Sequence, residues 1–170
     1  MHGYPAGKSI GGARVGAGYD LLGRCRMRLD DYQSAAKYYM KASKLTPEND
    51  IYARDSAIAL EKLGRSVDAL PFAERSVKLR PDEVYNHYIL GKLYSQAGHT
   101  SHAIRELERC ITVEPKNSLP YNLLATLYKR EGENAKAETC WQTLRNLKQQ
   151  SGEDAVQTFS RFGSIPHQTS

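Results

Sequence analysis

The chain repeats itself every 34 residues, and this period constrains its fold more than any other feature of the sequence. Prolines stand at Pro47, Pro81 and Pro115, and four further columns of residues keep the same interval. Those columns hold Ala35, Ala69, Ala103 and Ala137; Gly23, Ala57, Gly91 and Ala125; Asp30, Gly64, Gly98 and Gly132; and Leu45, Leu79, Val113 and Leu147. A fixed period of this length indicates stacked structural repeats, which bury a continuous core between neighbours.

Each repeat unit reads as two helices separated by a tight turn. In the third unit, Leu90 and Leu93 lie on one helical stripe, and Gly98 ends that helix because glycine suits a cap with positive φ. Apolar residues spaced by three and four over 103–111 predict a second, amphipathic helix, which Pro115 cannot continue. The period therefore predicts helix, turn, helix and break. Small mid-helix residues such as Gly91 would let the paired helices approach closely.

These columns resemble the tetratricopeptide repeat family. The third unit carries the family pattern most fully, through Leu90-Gly91, Tyr94, Gly98, Ala103, Leu107 and Pro115. The resemblance covers four units and implies an all-α fold, a right-handed superhelical solenoid of antiparallel helix pairs. Two departures are Arg26, which stands where the later units have Tyr94 and Tyr128, and Gln149, which replaces the proline.

The repeat register predicts where the segments of the chain begin and end. We expect a flexible, glycine-rich N-terminal segment over 1–15, repeats over 16–49, 50–83, 84–117 and 118–149, a capping helix over 150–163, and a disordered tail over 164–170. Ser151 and Asp154 resemble a capping box, which favours a separate helix after Gln149. The glycine-rich segment is expected to be either a flexible natural N-terminus or the point where a longer array has been cut.

Composition excludes several classes of protein. Of the 170 residues, 40% are apolar and 25% charged, as in globular domains, and no apolar run suits a membrane span or a secretory signal. The three cysteines are widely spaced, so neither a disulfide framework nor a zinc knuckle is expected. We therefore expect a cytoplasmic protein. The net charge is +5, but basic and acidic residues are interleaved, which gives no basic stripe for nucleic acid.

Two short motifs that suggest other chemistry are weak. Residues 3–9 read GYPAGKS and end like a phosphate-binding loop, but His2 stands where the first glycine should be and no strand precedes it. His99 and His102 could share a metal, yet no carboxylate or cysteine pair beside them completes a ligand set. We therefore expect no nucleotide, no metal and no other cofactor, and the chain is not expected to be an enzyme.

The resemblance implies a protein-interaction module, whose concave face binds a peptide or protein segment. The first helix of each pair would line that groove with residues that lie off the packing stripe. These candidate groove residues are Arg24, Arg54, Ile58, Tyr85, Tyr88, Lys92, Asn122, Thr126 and Lys129. Among them Tyr85, Tyr88, Lys92 and Asn122 are favoured, because tyrosines bring area, rigidity and a hydroxyl, as in binding hot spots.

One subclass of the family can be tested residue by residue. Chaperone-binding members grip a C-terminal carboxylate with a clamp of lysine, asparagine and arginine. The corresponding positions here hold Asp20, Arg24, Asp55, Tyr85 and Ile89, so that role is not expected. Two other functions stay open: an RNA-binding helical repeat, compatible with the net charge, and a structural homo-oligomer built by end-to-end stacking of repeats.

Overall fold

The described part of the chain folds entirely into helices joined by short turns. The computed structural model describes the backbone of residues 10–162 and the side chains of residues 11–151. Within that range the helices are α1 (Ile10–Arg28), α2 (Tyr32–Leu45), α3 (Asp50–Lys62), α4 (Ser66–Leu79), α5 (Val84–Gln96), α6 (Thr100–Val113), α7 (Leu119–Arg130) and α8 (Asn134–Phe162). The predicted all-α helical repeat solenoid is confirmed. None of these helices is long and apolar enough to cross a membrane.

The helices stack in chain order, each packing against the one before and the one after it. The first helix of the third pair, α5, also contacts its counterparts α3 and α7 directly. The first helices α3, α5 and α7 therefore lie side by side and form one continuous surface of the solenoid. The second helices α2, α4 and α6 alternate with the first helices in the stack and form the opposite surface.

The tight turns inside the pairs fall on the predicted column of turn residues. Asp30, Gly64, Gly98 and Gly132 all have positive φ, between 55° and 82°. At Gly98 the left-handed residue lets the chain close on the helix it leaves, because His99 N donates to Tyr94 O at 2.8 Å. Asp30 is the only non-glycine residue of positive φ in the described range. Its carboxylate accepts a hydrogen bond from the Tyr32 hydroxyl at 2.5 Å.

The first helix begins before the predicted boundary at residue 16. Helix α1 starts at Ile10, so Gly11, Gly12 and Gly16 are helical despite their low propensity. Gly16 is buried, and a Cβ placed on it would lie 2.9 Å from Thr46 Oγ1 at the end of α2. Packing of Gly16 against the end of α2 thus outweighs the low helix propensity of glycine, as tertiary contacts commonly do. Residues 1–9, with the GYPAGKS motif, lie outside the described residues.

The last helix does not end where a separate capping helix was predicted to begin. Helix α8 runs from Asn134 to Phe162 without a break after Gln149. The other second helices are each followed by a proline, and Gln149 occupies that position here, so nothing prevents the helix from continuing. Side chains beyond Ser151 and the predicted tail over 164–170 lie outside the described residues.

The core is built where a small residue of a first helix meets a large residue of its partner helix. A Cβ on Gly23 would lie 2.7 Å from Tyr39 Cε1, and one on Gly91 would lie 2.9 Å from Leu107 Cγ. Leu107 is fully buried. The predicted close approach of the paired helices is therefore present, and it depends on the missing side chain at these two glycines.

The substitution Gly91→Leu is expected to destabilise the fold by about 1–3 kcal/mol, the usual cost of overpacking a core. Gly18→Leu is the matched control, because it places the same side chain in α1, where a Cβ meets nothing within 4 Å. It should leave stability unchanged or raised, since leucine favours a helix over glycine. Urea unfolding followed by circular dichroism measures both variants, and equal midpoints for Gly91→Leu and wild type would contradict this packing.

A buried histidine ties the third pair together. His87 is 3% exposed; its Nδ1 lies 2.7 Å from Glu106 Oε2 and its Nε2 lies 2.9 Å from Pro81 O. Both neighbours accept hydrogen bonds, so the imidazolium form of His87 satisfies both contacts. The hydrogen bond from His87 outweighs burial and lowers the pKa of Glu106, assisted by Arg105 at 3.5 Å. The two contacts of His87 link α5 to α6 and to the turn that precedes α5.

Because the folded-state pKa of Glu106 is lowered, its ionised form adds stability above its unfolded pKa, and this stability is lost as pH falls. Glu106→Gln should therefore cost about 1–3 kcal/mol near pH 7, the contribution of a charged hydrogen bond. The deficit should shrink below about pH 4, where the wild-type carboxylate becomes protonated. Thermal melts across this range test the prediction, which a deficit independent of pH would contradict.

Candidate functional site

The first helices α1, α3, α5 and α7 bring the predicted groove residues onto one surface, and the centre of that surface is aromatic. The rings of Tyr85 and Tyr88 stack on α5 with centroids 6.1 Å apart, and the Arg54 guanidinium of α3 lies 5.3 Å from the Tyr85 ring. Tyr85 stays 39% exposed, whereas Tyr88 is half-buried between the two core clusters. A rigid, accessible aromatic pair with an arginine across it therefore lies at the α3–α5 junction.

A polar bridge joins the same two helices one turn further along. Lys92 of α5 donates to Glu61 of α3 at 3.0 Å, and Gln96 donates to the other oxygen of that carboxylate at 2.9 Å. Burial would raise the pKa of Glu61, but the hydrogen bonds from Gln96 and Lys92 outweigh it and lower that pKa. Lys92 therefore helps to hold α3 and α5 together.

Two carboxylates lie in the wall of the groove nearer the first repeat. Asp55 accepts a hydrogen bond from Arg54 at 3.0 Å, yet burial raises the pKa of Asp55 by more than the guanidinium lowers it. Burial also raises the pKa of Asp20, against the attraction of Arg24 and Arg54. The buried Oδ1 of Asp20 has no hydrogen-bond partner among the described residues. Titratable groups held in unfavourable surroundings are typical of functional surfaces.

An open pocket adjoins these carboxylates between α1 and α3. Its volume is about 260 Å³, and it is lined by Met27, Tyr39, Ile58, Asp55 and two arginines, Arg24 and Arg28. Arg24 reaches Asp20 only at 3.9 Å and keeps 62% of its side chain exposed. The pocket therefore has an apolar wall, one carboxylate and a rim of two arginines. It is large enough for one side chain.

The predicted residues of the fourth repeat are not joined to this centre. Asn122 and Thr126 are exposed, and the Thr126 hydroxyl donates to Asn122 O of its own helix at 2.8 Å. The Lys129 ammonium lies 5.7 Å from the Trp141 ring of α8. Among the described residues, no hydrogen bond, ion pair or ring contact connects these three side chains to the aromatic centre. The structure thus brings together Arg54, Tyr85, Tyr88 and Lys92, with Ile58 and Arg24 beside them.

Asp20 and Glu61 lie off the packing stripe of their helices and are expected from the sequence to face the groove, whereas Asp55 was not predicted to line it. Asp55 occupies the column Leu21, Asp55, Ile89 and Leu123, in which every other member is apolar. A carboxylate in an otherwise apolar column is the signal that could have identified it. The partner of Glu61 could not be predicted, since Lys92 reaches Glu61 only through the stacking of α3 on α5.

The histidine and cysteine side chains singled out by the sequence form no metal site. His99 and His102 lie 6.1 Å apart and pack against Tyr94. Across the described residues there is no group of three histidine, cysteine, aspartate or glutamate side chains that could hold a metal ion. Cys110 is fully buried, and burial raises the pKa of its thiol to about 12, so it packs as a core residue.

Comparison with known proteins now decides the family. Models of the tetratricopeptide repeat match residues 16–49 and 84–117, the first and third units of the predicted register. The chain belongs to the tetratricopeptide repeat family. Members of this family are generally interaction modules for other proteins. The solenoid also superposes on crystal structures of tetratricopeptide repeat proteins, which agree with it in fold.

Three relatives show how far the likeness extends. DnaJ homolog subfamily C member 7 of Homo sapiens is 35% identical over 88 residues, 52% of this chain and 18% of that protein. The crystal structure of MamA aligns with a TM-score of 0.77 at 17% identity, covering 81% of each chain. The first tetratricopeptide domain of Spaghetti (RPAP3), bound to the HSP90 peptide SRMEEVD, aligns at 0.68 and 18% identity, covering 71% of this chain and 95% of that one.

The match to curated relatives is partial. This tetratricopeptide repeat chain spans between 10% and 18% of the length of the curated proteins that it matches, among them the Hsp70-Hsp90 organizing protein of Triticum aestivum. The likeness therefore concerns the repeat array, which is one part of each of those proteins.

Asp55→Asn is expected to raise the melting temperature at pH 7. An acid whose folded pKa is raised favours folding below its unfolded pKa and loses that advantage as pH rises, so its ionised form destabilises the fold. Asparagine resembles the neutral acid and avoids this cost, and each kcal/mol gained is worth about 2–4 °C in a domain of this size. Glu138→Gln, at an exposed position of α8, is the matched control and should change little. A lower melting temperature for Asp55→Asn at pH 7 would contradict the raised pKa of Asp55.

Proposed function

We propose that the groove over α3 and α5 binds an extended segment of a partner protein. The observation that carries this proposal is the stacked pair of exposed Tyr85 and half-buried Tyr88, with Arg54 placed across Tyr85. Tyrosine and arginine are the residue types most enriched in binding hot spots, because they offer large, rigid contact areas with polar tips. The peptide bound by the Spaghetti (RPAP3) domain supports a groove of this kind in the same fold.

The chemistry of the groove disfavours a free C-terminal carboxylate as the group recognised. Three of the five positions of the chaperone-type clamp hold Asp20, Asp55 and Ile89, which would repel a carboxylate or fail to bind it. The unpartnered Oδ1 of Asp20 instead requires a hydrogen-bond donor. A suitable partner segment offers a backbone N–H group or a basic side chain to Asp20. The same segment offers an apolar or aromatic side chain to Tyr85, at the other end of the groove.

The paired charges of the groove favour a protein partner over RNA. Arg24, Arg54 and Lys92 each face a carboxylate of the same surface, at 3.9, 3.0 and 3.0 Å. Nucleic-acid surfaces need cations that are free to neutralise phosphates, whereas Arg54 and Lys92 are closely paired with acids and Arg24 has an acid nearby. The RNA-binding alternative thus lacks the uncompensated positive stripe that it requires in this part of the structure.

Selection of random peptides on the wild-type chain, followed by affinity measurements on the enriched peptides, tests the proposal. Tyr85→Ala removes an exposed side chain and should weaken binding at least about tenfold, a loss of roughly 1.4 kcal/mol. Tyr88→Ala combined with Lys92→Ala should abolish binding, while circular dichroism reports whether helicity is retained. The matched control replaces a tyrosine and a lysine of second helices, Tyr32→Ala with Lys78→Ala, and should bind as wild type. Peptides that bind all variants equally would refute the groove.

A further inference from the structure

The junctions between successive repeats are built alike, except for one. At the junction of the second and third repeats, the Tyr94 hydroxyl donates to Glu74 at 2.8 Å. At the junction of the third and fourth, the Tyr128 hydroxyl donates to Glu108 at 2.5 Å. In both cases a tyrosine of a first helix fills the seam and a glutamate of the preceding second helix holds its hydroxyl. The two pairs are related by the 34-residue period.

At the first junction, both members of this pair are replaced by apolar residues. The position of Tyr94 and Tyr128 is held by Leu60, and that of Glu74 and Glu108 by Met40. Leucine is smaller than tyrosine, and neither replacement offers a hydrogen bond. The seam therefore stays open, as a pocket of about 380 Å³ between α2 and the end of α3. Leu60, 2% exposed, contributes to its floor, and Met40, 40% exposed, stands at its wall.

The rim of this pocket is strongly basic. Lys37, Lys41 and Lys44 follow one face of α2, and Arg65 closes the pocket from the turn after α3. Among the described residues no carboxylate lines the pocket, and Lys37 and Lys44 form no ion pair. Lys41 lies 5.1 Å from the Tyr19 ring and Arg65 pairs with Asp68 at 2.7 Å. The equivalent face of the third repeat mixes Arg105 and Arg109 with Glu108, so this concentration of lysine belongs to the first repeat.

We propose that this convex pocket is a second protein-docking site, which takes an acidic segment of a partner that presents one aromatic side chain. The aromatic ring would occupy the space that Tyr94 and Tyr128 fill at the other junctions, and flanking carboxylates would meet the lysines of α2. A membrane surface or a nucleic acid would use the cations but leave the apolar cavity empty. An apolar cavity of ring size beside a basic rim, in which Lys37 and Lys44 have no acid partner, is what favours the peptide.

The test uses three labelled peptides and fluorescence anisotropy. The first is a short peptide of glutamate and aspartate with a central phenylalanine, the second has alanine in place of the phenylalanine, and the third keeps phenylalanine between lysines. The first should bind wild type, the second at least about tenfold more weakly, and the third not measurably. Affinity for the first should fall as salt rises, since exposed charges are screened. Failure of the first peptide to bind, or equal affinity of the first two, would overturn the proposal.

Variants of the chain separate the cavity from its charges. Met40→Gln with Leu60→Tyr recreates the ring and the hydrogen-bond acceptor of the other junctions without adding a charge, so it should fold as stably as wild type and lose the first peptide at least about tenfold. Met40→Gln alone, at a half-exposed side chain, makes the wall of the cavity polar at unchanged charge and should weaken binding of the first peptide if the double variant misfolds. Lys37→Gln with Lys44→Gln should weaken binding and flatten its salt dependence. The matched control, Lys78→Gln with Lys116→Gln, removes two exposed lysines elsewhere and should change nothing.

Competition distinguishes the other possible occupants. Vesicles of phosphatidylserine and a single-stranded oligonucleotide are each added to the complex with the first peptide. If either displaces the peptide and its own binding depends on Lys37 and Lys44 but not on Met40 and Leu60, the surface is a polyanion site and the proposal is overturned. The groove variant Tyr85→Ala should leave this peptide bound. Loss of that binding would place the peptide in the concave groove and equally overturn a second site.

Discussion

The structure depends on how closely the two helices of a repeat can approach each other. At Gly23 and Gly91 the absence of a side chain brings the backbone of a first helix against Tyr39 and Leu107 of its partner, so that a Cβ would lie within 3 Å of those side chains. The second repeat reaches the same end differently, with Ala57 and Ala73, both fully buried. The spacing between paired helices is therefore set by the sizes of the residues that face each other. These are a glycine against a large side chain in the first and third repeats, and two alanines in the second. That spacing sets where each groove residue stands.

Variation between repeats then gives each surface its chemistry. Inside the pairs, the columns of small, alanine and turn residues are nearly uniform, because packing and positive φ restrict them. Between the pairs, the Tyr94–Glu74 contact gives way to Leu60 and Met40 at the first junction. A change of two residues in an otherwise regular seam alters a closed contact into an open cavity. Because each repeat contacts only its neighbours, such a change stays local and leaves the other junctions intact.

The sequence predicted the helix pairs and their turns, because these follow a period that one chain displays four times. It did not predict that α1 reaches back to Ile10, since low glycine propensity is outweighed by contacts of Gly16 that appear only in three dimensions. The bridge of Lys92 and Gln96 to Glu61 was equally hidden, because it joins residues about one repeat apart through stacking. Periodic features were predictable, whereas contacts between unlike repeats were not.

The two surfaces of the solenoid handle their charges in opposite ways. In the groove, Arg54 and Lys92 are held by Asp55 and Glu61, so these cations shape the surface and position Tyr85 more than they attract a distant partner. On the convex face of α2, Lys37 and Lys44 have no such acids beside them, and their field extends into solvent. Compensated charges favour selection by shape and hydrogen bonding, whereas uncompensated charges favour rapid capture of acidic segments. The two proposed sites share no side chain, so occupation of one does not by itself block the other.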